Sequence, residues 1–304
     1  YITQLFTKWH ETGSILNKQR NRRKRVLTEE TLADIQGRMA VSPRKSSRRL
    51  AQQCGISQRS ALRGLKMLHF YPYRVSVVHQ LRPQDPKMRA NFCRWMLQSI
   101  HDGIVDPSLL IITDEAYFHL SGYVNSQNSR YWNTENPNVV HEIPLHDEKV
   151  GVWCGISARR IIGPIFFYET VNSERYVKDI LEPFFEMLTE EEKQYAYFQQ
   201  DNATPHTAHQ SMHALEQVFD DRIISRGLWP PRSPDLSACD FFLWGDLMQK
   251  VYKNNPRTLE ALEIEIRQVI GEIPEAELQR VFQNFIRRCS VCIEREGHHF
   301  QQLL

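Results

Sequence analysis

The chain has 304 residues, of which 41% are hydrophobic and 24% charged, with a formal net charge of +2. That is ordinary globular composition, with enough length for more than one domain. No apolar run approaches the ~20 residues of a membrane span, and no secretory signal opens the sequence. Six scattered cysteines exclude a disulfide-stapled secreted framework and fit reduced thiols in an intracellular protein.

The near-neutral total hides a split. Residues 1–100 hold 20 Lys and Arg against 5 Asp and Glu, whereas residues 101–304 hold 18 against 31. A basic front half points to nucleic acid, and an acidic back half suits a cation-binding module.

Residues 1–12 read as a helix with Ile2, Leu5, Phe6 and Trp9 on one face. One helix cannot bury that face, and because the chain opens on Tyr1 rather than Met, we expect its partners upstream. Residues 13–27 form a basic linker. Within it Arg22, Arg23 and Arg25 suit an arm on the phosphate backbone, a nuclear localisation tract, or both. Residues 28–69 predict three short helices. Thr28 and Ser57 are N-caps, Leu32, Ile35 and Met39 form a first stripe, and Gly55 makes a tight turn. On the third helix Ala61, Leu62 and Leu65 form the apolar face, and Arg59, Arg63 and Lys66 a basic one. Helix, glycine turn and basic helix make a helix-turn-helix.

A Pro-punctuated linker covers 70–86, with the domain boundary near 85, and an amphipathic helix covers 87–101. Leu109–Thr113 reads as a central strand ended by Asp114. Residues 122–147 read as a long polar loop. Strands at 150–156 and 161–168, a helix at 173–188, a strand at 195–199, a helix at 207–219, a short strand at 223–224 and a helix at 237–252 follow. Alternation of this kind implies an α/β domain with a mixed sheet flanked by helices. Cys289-x-x-Cys292 before His298-His299 has the outline of a zinc site, but the Cys-to-His spacing is short and the cysteines fall on an apolar helix.

Asp114 and Asp201 stand at the ends of two strands that are plausible neighbours. Asp240 follows a Pro-rich turn from which it can point back at them. Three carboxylates together repel one another, and a divalent cation relieves this. Oxygen ligands suit Mg²⁺ or Mn²⁺, and two such ions roughly 3.5–4 Å apart can cut a phosphodiester. Taken singly, each aspartate also suits a plainer role. Asp114 fits a strand-end turn, Asp201 an Asx turn or cap, Asp240 an exposed helix position, and Asp235 a helix cap.

Asp201-Asn202-Ala203-x-Pro205-His206, followed by Pro231-x-Ser233-Pro234-Asp235-Leu236-x-x-x-Asp240, resembles the catalytic signature of mariner-family DNA transposases. Ile112-Thr113-Asp114-Glu115 resembles that family's first catalytic strand, and the order of elements agrees along the whole chain. The resemblance implies a ribonuclease-H-like catalytic domain over 87–304, preceded by an all-α helix-turn-helix region. It implies Asp114, Asp201 and Asp240 as ligands of two Mg²⁺ or Mn²⁺ ions, with Asn202 and His206 in support. It further implies cut-and-paste transposition in the nucleus, on double-stranded DNA comprising terminal inverted repeats and a TA target. The working form would be a homodimer in which 122–147 serves as a clamp loop, and residues 1–12 would be the last helix of a first helix-turn-helix. In one departure, 38 residues separate Asp201 from Asp240, a longer gap than the mariner pattern has. Raw spacing favours Asp235, but the motif context Cys239-Asp240-Phe241-Phe242-Leu243 outweighs a loop-length count and selects Asp240. The alternatives are a domesticated or decayed copy that only binds DNA, and a ribonuclease or other nuclease of the same fold.

Overall fold

The computed structural model describes residues 2–13, 26–72, 78–122 and 148–303, and the chain divides into two compact units between Ser76 and Val77. Arg22, Arg23 and Arg25 of the basic linker, and the expected clamp loop from 123 onward, lie outside the described residues.

The first unit holds α1 (Ile2–Thr12), α2 (Glu29–Val41), α3 (Ser47–Gln53) and α4 (Gln58–Met67). Thr28, Ser46 and Ser57 each accept a hydrogen bond from a backbone N–H in the first turn of the helix that follows, satisfying donors the helix leaves open. Gly55 takes φ +63° between α3 and α4, where a side chain would be strained. Ile35, Leu50, Ala51 and Ala61 form the small core. Leu62, expected on the apolar face, is 51% exposed. Gly64 is buried in its place, because α4 crosses so close to α2 that a Cβ at Gly64 would lie 2.7 Å from Ile35 Cδ1. On α1, Phe6 and Trp9 are exposed.

The second unit begins with α5 (Asp85–His101), two residues earlier than the periodicity suggests. Three strands follow, β1 (Leu110–His119), β2 (Lys149–Ile156) and β3 (Ile161–Phe167). A helical stretch runs from α6 (Ser173–Arg175) through a π-helical turn at Tyr176–Leu181 into α7 (Glu182–Met187). After it come α8 (Glu190–Tyr195), β4 (Tyr197–Gln199), α9 (His209–Phe219) and β5 (Ile223–Ile224). The chain ends in α10 (Trp244–Val251), α11 (Leu259–Gly271) and α12 (Glu275–Glu294). Sequence periodicity missed α8, which a Thr189–Glu192 capping box starts.

The sheet order is β3-β2-β1-β4-β5, antiparallel across β3, β2 and β1 and parallel across β1, β4 and β5. Strand alternation sends Leu110, Ile112, Val152 and Cys154 to a core shared with α5, α10, α11 and α12. Ile111, Trp153 and Phe198 go to the opposite core, under α7 and α9. A mixed five-stranded sheet with helices on both faces is the ribonuclease-H-like architecture the motifs implied. Cys289 and Cys292 are buried on the core face of α12, which agrees with their reading as packing residues. Among the described residues no helix is long and apolar enough to cross a membrane.

Gly64→Val places methyls against Ile35. It is expected to destabilise the first unit by roughly 1–3 kcal/mol, read as an earlier urea transition in the full chain.

Candidate active site

The first two aspartates meet because β1 and β4 run parallel, with Ile112 opposite Gln199. Thr113 Oγ1 donates to Gln199 O at 2.8 Å and locks that register. β4 stops at Gln199, so Asp201 stands two residues beyond the ladder as Asp114 stands two beyond Ile112. Asp114 does not end its strand, however. β1 continues to His119, paired on its other side with β2 as Asp114↔Cys154 through His119↔Lys149. The continuation is half-buried and lacks the unbroken apolar run that marks 109–113.

Asp240 arrives from the opposite direction, in a π-helical turn (Cys239–Leu243) that leads into α10. Trp244, one turn on, donates Nε1–H to Asp114 Oδ2 at 2.8 Å, and Cys239 Sγ donates to Ile112 O at 3.4 Å. The helix carrying Asp240 is thus tied to the strand carrying Asp114. All three aspartates and Glu115 line one cavity of about 510 Å³, together with His79, Gln199, Asn202 and Arg232.

Asp235, which raw spacing favoured, is not among the residues lining that cavity. Nor is it a cap. It is 2% exposed and forms a bidentate pair with fully buried Arg89, at 2.7 and 2.6 Å. Arg89 also donates to Ser233 Oγ at 2.9 Å and Gly297 O at 2.8 Å. A second pair crosses it. Arg232 donates twice to buried Asp85, at 2.5 Å each. Asp85 and Arg89 lie one turn apart on α5, so acid and base on the helix meet base and acid on the Pro-rich loop. Two opposed pairs admit one register only, and that register sets where Asp240 begins. Asn202 adds a third tie, donating from Nδ2 to Trp229 O at 2.9 Å.

His206 bridges two acids, with Nδ1 at 2.6 Å from Asp201 Oδ1 and Nε2 at 3.0 Å from Glu115 Oε1. Burial by itself would lower its pKa, but the hydrogen bonds to Asp201 and Glu115 outweigh burial and raise it to about 10. The imidazolium in turn outweighs the partial desolvation of the half-exposed Asp201 carboxyl and holds it below the usual range. Tyr176 packs on the His206 ring, 4.4 Å between centroids, and donates to Gln200 Oε1 at 2.7 Å. Gln200 donates to His206 O and Ser225 Oγ, both at 3.1 Å. Glu115 was legible in sequence only as part of the motif, since its partner lies 91 positions away.

Among the described residues no cation is bonded to Asp114 or Asp240 as His206 is to Asp201. Burial, then the charges of Asp240 and Glu115, push Asp114 well above an ordinary carboxyl. Asp240 is exposed at the cavity wall, and partial desolvation there with the charge of Asp201 raises it to about 6. Oxygen donors that resist ionisation together are chemically suited to a hard divalent cation. Among the described residues, no three Asp, Glu, His or Cys side chains converge on a single point. One oxygen of Asp114 is engaged by Trp244, and Asp201 Oδ1 is shared by Ala203 N–H and His206.

In the first unit Arg59, Arg63 and Lys66 are all exposed on α4, the second helix of the turn motif.

Arg89→Met leaves Asp235 charged, buried and unpaired, and is expected to cost roughly 3–5 kcal/mol. The double variant Arg89→Met/Asp235→Leu is expected to recover most of that in urea unfolding. His206 keeps its proton in the fold until about pH 10, against 6.5 unfolded. Its contribution to stability is therefore full below about 6.5 and lost as pH rises through about 10. Ring-carbon NMR should find that high midpoint in the native protein, and a midpoint near 6.5 would refute the bridging geometry.

No family model matches the sequence. The transposable element Tc3 transposase of Caenorhabditis elegans is 26% identical over 195 residues, which is 63% of this chain and 57% of that protein. The pre-cleavage Mos1 transpososome superposes with a TM-score of 0.72 at 16% identity, over 98% of this chain and 87% of that one. The mariner Mos1 paired-end complex with Mg superposes at 0.66 with 18% identity, over 99% and 88%, and its Mn counterpart at 0.67 with 18%, over 98% and 88%. The chain thus has the fold of the mariner transposase Mos1 over nearly its whole length, and shares sequence with a second transposase.

Proposed function

We propose that the chain is a DNA transposase whose second unit cuts and joins strands with divalent cations held by Asp114, Asp201 and Asp240. The observation that carries this reading is the convergence of those three aspartates on one cavity, from a strand, a strand end and a helix start, on this fold. Mg²⁺ and Mn²⁺ are the cations in the Mos1 complexes the chain resembles. Two bound ions would supply an activated water and stabilise the leaving oxygen.

The chain's own residues do the rest. Asp114 and Asp240 share a site where both cannot comfortably be charged without a cation. His206 holds Asp201 in one orientation and neutralises Glu115. Arg232 puts positive charge on the wall of a largely acidic cavity that has to admit a phosphate backbone. Hydrolysis at the end of the element frees a 3′-hydroxyl, which then attacks target DNA in a second phosphoryl transfer. Arg59, Arg63 and Lys66 on α4 read the terminal repeats, aided by Arg22, Arg23 and Arg25. The working form is a homodimer in the nucleus. The rival reading, a decayed copy that binds DNA without cutting it, is disfavoured by the retention of all three acids in one cavity.

In a Mg²⁺-dependent cleavage assay on the element's terminal repeats, Asp240→Ala should abolish cutting and leave binding intact. Cutting that survives removes Asp240 from the site. Protonation of Asp240 competes with the cation, so Mn²⁺ affinity should weaken as pH falls through about 6. Arg59→Ala with Arg63→Ala should weaken repeat binding and lower the salt slope by about 2. An unchanged slope would remove α4 as the reader.

A further inference from the structure

Adjacent glutamines, Gln199 ending β4 and Gln200 just past it, have opposite fates. Gln200 is buried and bonded at both ends, through Tyr176, His206 and Ser225. Gln199 is 2% exposed, and among the described residues its side-chain Oε1 has no hydrogen-bond partner. A buried amide oxygen left unpaired opposes folding, and an apolar side chain would fill the same place without that cost. Its backbone is fixed by Thr113 and by the ladder to Ile112, so the side chain cannot escape by a shift of register. Gln199 lines the cavity that also holds Asp114, Asp201 and Asp240.

We propose that Gln199 is a fourth, uncharged oxygen donor of the divalent-cation site, an inference that rests on the proposed metal-dependent reading of that cavity. Gln199 pairs across the ladder with Ile112, two residues before Asp114, and lines the same cavity as Asp114 and Asp201. A hard divalent ion takes about six oxygens, more than three carboxylates and their geometry supply. A fourth carboxylate would add to the repulsion that already raises Asp114 and Asp240. An amide oxygen completes the donor set without adding charge. Trp153, whose Nε1 lies against Tyr176, packs in the core under α7 and is not among the residues lining this cavity.

The test is Mn²⁺ titration of the full chain, read by electron paramagnetic resonance without DNA, alongside thermal melting in chelator. Gln199→Leu should bind Mn²⁺ about tenfold more weakly. In chelator it should melt no lower than the parent, with a gain of about 2–4 °C expected from removing the orphan. Gln199→Glu keeps an oxygen at the position and should bind Mn²⁺ at least as tightly as the parent. Parental Mn²⁺ affinity in Gln199→Leu, where Asp114→Asn loses binding, overturns the role of Gln199 alone. Parental affinity in Asp114→Asn as well overturns the cation reading of the cavity itself. A clear drop in the melting temperature of Gln199→Leu in chelator would mean the amide is satisfied within the fold, and would also overturn the proposal.

Discussion

The site depends on a buried ion pair that takes no part in its chemistry. Arg89 reaches from α5 to Asp235 and Ser233 in the Pro-rich loop and to Gly297 near the chain's end, joining segments 144 to 208 positions apart. Water is excluded from the pair, so each charge is costly alone and tolerable only with its partner in place. Such a joint works more as a register key than as a source of net stability. The Asp85–Arg232 pair, opposite in sense and one helical turn away, makes any slip of the loop put like charges together.

The active-site face has the complementary problem. Four acids line one cavity, and they manage their charge in three ways. Asp201 and Glu115 share the proton-rich His206. Asp114 takes a neutral donor from Trp244 and stays hard to ionise. Asp240 sits between, raised by partial desolvation and by its neighbours. Stability has been given up locally, and a cation is the simplest agent that would restore balance. The unpaired amide of Gln199 fits the same pattern, a polar group whose cost the fold alone does not repay.

Much of this was legible in the sequence. Apolar runs and alternation located β1, β2, β3 and most helices up to α10, but α11 was not read. Caps at Thr28 and Ser57 and the turn at Gly55 were readable because their chemistry is local. The motif around Asp201 and Asp240 named the acids. Errors arose where burial on one side only weakens the pattern. The outer half of β1 was missed, and α8 was hidden in a run of glutamates. Leu62 was placed on the buried face because residue type suggested it, but the helix crossing selects Gly64, where space is least.

By itself the sequence determined which residues carry charge, which faces are apolar and where the chain turns, because these follow from side-chain chemistry within a few residues. The tertiary structure alone decided that Asp235 is a structural anchor, and it placed Asp240, which the motif had chosen, in the cavity wall. It also paired His206 with Glu115 and, among the described residues, left Gln199 Oε1 without a partner where Gln200 is satisfied. Those outcomes depend on contacts between segments far apart in the chain and on the low dielectric of the interior, which gives an unpaired charge or amide its cost only after the core has closed.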